Sequence, residues 1–264
     1  AGYVVISDGC TGGGGGGGGT YSNANPTPNT VGGIPAGSTF SNQTMQQMWD
    51  ALLYPYQNPA FTSFLMVGQS TSLEVGDTIT GGMKTWNWTT SNSGNVQINT
   101  IQASDITFGG VLFSNSPNDG TENASIGGAI TKNTQDSHSF RITGRNTNAA
   151  NFSRDFTVNW NFRLYWGETT TTPLTETDIE ALRVSLLTNT AARTYAFQGG
   201  GYKYICYPSS FTTLTTFTDV DTGFGVPFEP VYTVSVTNSF GVTTNYNVQR
   251  STNIMGSAIN ISAS

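Results

Sequence analysis

The chain is short of charge. Only 10% of its 264 residues are Asp, Glu, Lys or Arg, against about a quarter in an ordinary soluble domain. Cations are the scarcer kind, 10 against 16 anions, for a net charge of −6. A nucleic-acid partner needs a basic stripe, and docking on anionic lipid needs clustered Lys and Arg. Neither partner is therefore expected. No apolar run approaches the roughly 20 residues of a membrane helix, so no membrane insertion is expected, and no charged-then-apolar signal peptide is read at the start. Thiols and imidazoles are nearly missing: two Cys and one His. One His rules out a His-rich metal site, and a Ser-His-Asp triad would have to use His138. In Asp136-Ser137-His138-Ser139 that residue reads as a strand-end histidine. Cys10 and Cys206 lie too far apart in sequence for a CxxC redox or zinc pair. They form one disulfide or two thiols; the thiols are favoured, since two Cys make no disulfide framework. No cofactor and no metal is expected.

What the chain has instead is uncharged polarity: 41 Thr, 25 Ser, 24 Asn and 32 Gly. Aromatic residues reach 12%, which separates it from disordered sequences. The length suits one large all-β domain or two smaller ones, either able to bury a core.

The chain divides into three regions. Residues 1–40 form a Gly-rich arm, with the run Gly12, Gly13, Gly14, Gly15, Gly16, Gly17, Gly18 and Gly19 between Thr11 and Thr20. Such a run is a flexible linker or an assembly arm held by a neighbouring subunit, since side-chain-free backbone permits close approach. It is not a phosphate-binding loop, because no Lys-Ser/Thr and no helix follow it.

Residues 41–168 read as a helix followed by β structure. Met45, Met48, Trp49, Leu52 and Leu53 share one helical face. Asn42 or Thr44 serves as N-cap, and Tyr54-Pro55 ends the helix. The stripe is expected to cover the end or edge of a sheet. Trp86 and Trp88 share one strand face. Val96 and Ile98, and likewise Phe140 and Ile142, alternate with polar residues. From Asp155 to Trp166, Phe156, Val158, Trp160, Phe162, Leu164 and Trp166 alternate with polar residues or Tyr165, predicting one long strand with a core face and a wet face.

Residues 169–264 read as a second helix and a hairpin-rich region. Thr177 and Glu180 fit a capping box, and Ile179, Leu182, Leu186 and Leu187 give a stripe running to about Thr188. Tyr202 to Tyr207 is a short aromatic strand. Tyr232–Val236 and Val242–Val248 flank a tight turn at Asn238–Gly241, a hairpin pattern. The expected fold is all-β: one or two antiparallel β-sandwich units of immunoglobulin-like type, two short helices and the arm. The last region is a second small sandwich or the completion of the first.

Few residues suggest chemistry. Glycosidases need two flanking carboxylates; Asp119, Asp178 and Glu180 read instead as turn and helix-start residues, and no catalytic residue is assigned. Asp219-Val220-Asp221-Thr222-Gly223 resembles the start of a calcium loop, but the twelfth position is Pro230 where an EF-hand has Glu. The sequence is read there as a turn. Exposed Tyr rings among Thr, Ser and Asn suit sugar contact. The candidates are Tyr165, on the predicted wet face of the long strand, with Tyr202, Tyr204 and Tyr207.

Several stretches carry a resemblance. They are Ile34-Pro35-Ala36-Gly37-Ser38-Thr39-Phe40, Leu52-Leu53-Tyr54-Pro55-Tyr56, Pro59-Ala60-Phe61-Thr62-Ser63-Phe64 and Tyr202-Lys203-Tyr204-Ile205-Cys206-Tyr207-Pro208. Val236-Thr237-Asn238-Ser239-Phe240-Gly241 and Tyr246-Asn247-Val248-Gln249-Arg250-Ser251 complete the set. Together, over about residues 31–261, they resemble structural proteins of tailed-bacteriophage virions, of tail-fibre-like, appendage or head-decoration type. The resemblance implies a non-enzymatic component of an extracellular virion particle, with other virion proteins as partners. By analogy with phage fibres it implies a homo-oligomer, a trimer first. Host-surface polysaccharide is a second partner. The rival reading is a bacterial secreted surface adhesin or carbohydrate-binding module.

Overall fold

Period-2 alternation of Thr, Val and aromatic residues, punctuated by Gly and Asn turns, has one low-energy outcome: paired strands with one face apolar. The computed structural model describes residues 20–264 apart from 32–33, 35, 54–55, 118, 185–187 and 189. The Gly12–Gly19 run and Cys10 lie outside the described residues. The chain divides into two compact units, Ala1–Asn58 and Pro59–Ser264. The first helix falls within the first unit, and both β regions within the second.

In the first unit, β1 (Thr20–Asn23) pairs antiparallel with β2 (Phe40–Thr44), which runs directly into α1 (Met45–Leu53). Thr44 caps the helix: Gln47 N donates to Thr44 Oγ1 at 3.2 Å and Thr44 N donates to Gln47 Oε1 at 2.8 Å. This reciprocal pair is a capping box. The helix is as predicted, but its packing is not. Met45, Trp49 and Leu53 are more than half exposed, and no residue of the helix is fully buried.

The second unit opens with β3 (Ala60–Met66), β4 (Ser72–Glu74), β5 (Thr78–Ile79) and β6 (Met83–Ser91). There follow β7 (Ile101–Asp105), β8 (Val111–Ser116), β9 (Gly120–Ser125), β10 (Ile130–Thr131), β11 (Asp136–Arg145) and β12 (Asn151–Asn161). Two larger sheets form, in the orders β3-β6-β9 and β4-β12-β11-β7-β8, antiparallel except for the parallel β4–β12 pair, and β5 pairs antiparallel with β10. Their inner faces share one core. Trp86 from the first sheet meets Phe140 of the second edge-on, with ring centroids 4.9 Å apart, and Phe61 meets Phe152 at 4.8 Å. Trp86 and Trp88 do share a face, and both are buried. Val96 and Ile98 do not form a strand. A short 3-10 turn at Ser93–Asn95 precedes them, and Ile98 is 78% exposed.

The remainder comprises β13 (Tyr165–Thr169), α2 (Glu176–Glu180), β14 (Arg183–Val184), β15 (Arg193–Phe197) and β16 (Tyr202–Pro208). It ends with β17 (Phe217–Asp219), β18 (Tyr232–Thr237), β19 (Thr243–Arg250) and β20 (Ile259–Ala263). A five-stranded sheet, β14-β13-β16-β19-β18, is covered on one face by the three-stranded sheet β15-β20-β17. Its other face carries Tyr165, Tyr204, Cys206, Tyr246 and Val248, packed with Leu174 and with Ile179 of α2. Both faces are therefore buried. This is why Tyr202–Pro208 reads as a nearly continuous apolar run and not as an alternation. The hairpin at Asn238–Gly241 forms as predicted, with Gly241 N donating to Asn238 O at 2.9 Å.

Two elements differ from expectation. The long strand breaks: β12 ends at Asn161, β13 begins at Tyr165, and the two lie in different sheets. The second helix has five residues, not three turns, and its box is Thr175 with Asp178, not Thr177 with Glu180. Leu182 follows the helix and packs beneath it, while Leu186 and Leu187 lie outside the described residues. The all-β class, the antiparallel sheets and the two short helices stand.

Candidate functional site

The break between β12 and β13 makes a cleft. Parallel pairing sets Glu74, at the end of β4, beside Asn161, and Val75 N donates to Asn161 O at 3.1 Å. The chain then passes through Arg163 to Tyr165 and joins the second sheet. Glu74, Arg163, Tyr165, Glu180, Val184, Asn238 and Ser239 enclose a cleft of about 300 Å³. Its frame is well tied. Arg163 Nε donates to Glu74 Oε2 at 2.7 Å, which pairs a carboxylate that is only 6% exposed; an unpaired charge there would be costly. The Arg163 carbonyl accepts from the Tyr246 hydroxyl at 3.0 Å. Asn238 Nδ2 donates to Val75 O at 2.6 Å, and its Oδ1 accepts from Phe240 N and Val242 N. Asn238 is thus spent on building the turn.

Four groups in the cleft remain available. The Tyr165 hydroxyl, the terminal nitrogens of Arg163, the Glu180 carboxylate and the Ser239 hydroxyl make no hydrogen bond among the described residues. Burial, and then the neighbouring Glu74 charge, push the Tyr165 phenol up to about 12. It is a neutral hydroxyl at any physiological pH, able both to donate and to accept.

The four predicted tyrosines are not brought together as a sugar platform. Tyr165 lies 5% exposed, edge-on to Tyr246 at 5.5 Å, because the predicted wet face of its strand is covered by Leu174 and by Ile179 of α2. From this buried position it lines the cleft. Tyr204 is buried, and its hydroxyl donates to Thr171 O at 2.8 Å. Tyr207 is buried in a network: it donates to Gln249 Oε1 at 3.1 Å and accepts from Leu214 N at 3.1 Å. Tyr202 is half-buried, with the Arg250 guanidinium over its ring at 4.4 Å from the centroid. Rings so covered offer no flat face to a ligand.

The other singled-out residues resolve into structure. His138 is fully buried, with Nε2 2.9 Å from Asp105 Oδ2, and its Nδ1 has no partner among the described residues. Among the described residues no hydroxyl hydrogen-bonds the imidazole to complete a triad. Asp219 accepts from Asp221 N and from Thr222 Oγ1, closing a turn on itself. Among the described residues no group of three or more His, Cys, Asp and Glu could hold a metal. Asp119 accepts from Thr90 Oγ1 at 2.7 Å, and Asp178 caps α2. Both have the turn and cap roles expected; Glu180 instead faces the cleft. Cys206 is buried and unbridged.

Glu74, Arg163 and Ser239 were not singled out from the sequence. Glu74 and Arg163 are 89 positions apart, and neither stands in a motif. Only the turn that carries Ser239 was legible. A second groove of about 350 Å³, on the outer face of β7, β11 and β12, includes Arg141 and Arg145. Its Arg141 donates through Nε and Nη2 to the two Asp155 carboxylate oxygens, at 2.6 and 2.8 Å. No protein family, curated protein or solved structure matches the chain.

Proposed function

We propose that the chain is a non-enzymatic structural component of a tailed-phage particle, a tail fibre, appendage or head decoration, built on β-sandwich units of immunoglobulin-like type. It assembles through its N-terminal segment as a homo-oligomer, a trimer first, and contacts host-surface glycan as a second layer. The observation that carries this reading is α1. Nine residues with a single charge, Asp50, present Met45, Trp49 and Leu53 to solvent. An apolar stripe of this kind is what an assembly contact requires, and it lies in the same N-terminal unit as β1 and β2. The resemblance of residues 31–261 to virion proteins supports the particle. The cleft favours the rival reading, a secreted adhesin or carbohydrate-binding module, which would be monomeric and glycan-specific.

Immunogold labelling of particles and cells from the source culture tests the two. Label on virus particles is expected, and its position separates tail from head. Label on cell surfaces or filaments alone transfers the assignment to the adhesin.

A further inference from the structure

We infer that the cleft between Glu74, Arg163, Tyr165, Glu180 and Ser239 is a binding subsite for a single neutral pyranose unit. This deepens the glycan-contact layer of the particle reading, and the two fail separately: a sugar can bind without gold on particles, and the reverse.

Size comes first. About 300 Å³ lies at the lower end of small-ligand pockets, which span roughly 300–1,000 Å³. It suits one ring and not an extended chain. Charge comes second. Glu74 is already neutralised by Arg163 at 2.7 Å. One further carboxylate, Glu180, lines the same cleft as the Arg163 guanidinium, whose terminal nitrogens keep donor capacity. An anion would meet two carboxylates against one guanidinium. A compact cation would meet Arg163. A neutral ligand carrying both hydroxyl donors and acceptors meets neither penalty.

Hydrogen-bond chemistry comes third. The available groups are two-sided: the guanidinium only donates, the carboxylate only accepts, and the Tyr165 and Ser239 hydroxyls do either. Adjacent ring hydroxyls of a sugar can accept from Arg163 and donate to Glu180 at once. Pre-organisation comes last. Arg163 is fixed through both its side chain and its carbonyl, Tyr165 through Tyr246, and Ser239 through the Asn238 turn. A ligand therefore has little side-chain freedom to freeze. This differs from the ring-stacking platform expected from the sequence: here tyrosine contributes its hydroxyl, not its face.

The test is saturation-transfer NMR on the full chain with the methyl pyranosides of glucose, galactose, mannose and N-acetylglucosamine. Methylammonium and inorganic phosphate serve as charged probes. At least one pyranoside is expected to bind in the millimolar range. Tyr165→Phe and Glu180→Gln should each weaken it about tenfold, the loss of one hydrogen bond to a charged or buried group. Arg145→Gln, in the other groove, should leave binding unchanged. Glu180 is on the surface side of α2, so E180Q is expected to keep the wild-type melting temperature and to isolate binding from folding. Failure of all four pyranosides to bind overturns the inference. So does binding that ignores both cleft variants, or binding of methylammonium or phosphate alone.

Discussion

Trp86 and Cys206 both sit at zero exposure, and each makes its burial measurable. Trp86 joins two sheets through Phe140 and Phe156, yet its indole Nε1 has no hydrogen-bond partner among the described residues. Trp86→Ala should cost about 3–5 kcal/mol, as large core truncations do. Trp86→Phe should cost less than about 2 kcal/mol, because it also removes a buried donor whose lack of a partner costs about 1–3 kcal/mol. Urea denaturation of the two variants checks the order; a Trp86→Phe loss well above about 2 kcal/mol would mean the indole nitrogen is satisfied after all. The Cys206 thiol is pushed well up by burial. Thiolate is the reactive form, so a disulfide reagent at pH 8 should leave Cys206 unmodified in the native protein and label it fully in urea. Peptide mapping separates it from Cys10. At this scale the sequence was informative about which residues are inside, since Trp86, Trp88, Phe140 and Ile142 all alternate with polar neighbours. It was silent on which buried polar atoms would find partners. That depends on atoms tens of positions away, as for His138 with Asp105.

Among the elements, α2 shows how a cap works at low pH. Thr175 Oγ1 and N both donate to Asp178 Oδ2, at 2.6 and 2.8 Å. These bonds hold the Asp178 carboxyl below its ordinary value. Its folded-state value therefore lies under its unfolded one, so the unfolded chain binds more protons as the pH falls through that interval. The stabilisation is complete above the ordinary carboxylate range near pH 4 and is lost as the pH drops through the folded value. Thr175→Ala should lower the melting temperature by about 2–4 °C at pH 7, and the difference from wild type should shrink at pH 3. A difference that stays constant would place the effect outside the Thr175–Asp178 pair. The sequence Thr175-Glu176-Thr177-Asp178-Ile179-Glu180 contains two overlapping box patterns, and spacing alone could not choose between them. α1 was legible in both its cap and its stripe, but not in its exposure. Replacing Met45, Trp49 and Leu53 together by Ser, or deleting Ala1–Thr20, should reduce the oligomeric mass in light scattering. The melting of the β unit should not change. An unchanged mass in both variants would remove the assembly role.

At the scale of the whole β unit, the alternation from Phe156 to Trp166 concealed the main architectural event. Parity survives the break. Phe156, Val158 and Trp160 enter the first core, and Leu164 enters the second. Period 2 therefore gave no sign of the change of sheet, and Tyr165 was assigned to water because nothing in the alternation shows that Leu174 and Ile179 fold back over that face. Several ties make the two halves one body: the three-residue crossing, the Arg163–Glu74 pair and the Asn238–Val75 bond. Gly76 adds another. At φ +92°, a Cβ there would lie 2.7 Å from Val242 and 2.8 Å from Phe240, so only glycine lets the hairpin approach so closely. The unit Pro59–Ser264 should melt in one transition, with coincident fluorescence and far-ultraviolet signals. Two separated transitions would show that the crossing does not couple the cores.

The crossing also has a mechanical meaning. A strand that leaves one sheet and enters the next within three residues acts as a short tether under tension: load applied to either sheet is passed along covalent backbone to the other. There is no slack linker to take up extension first. Pulled in a force spectrometer, such a body should yield as one event at a single contour-length step.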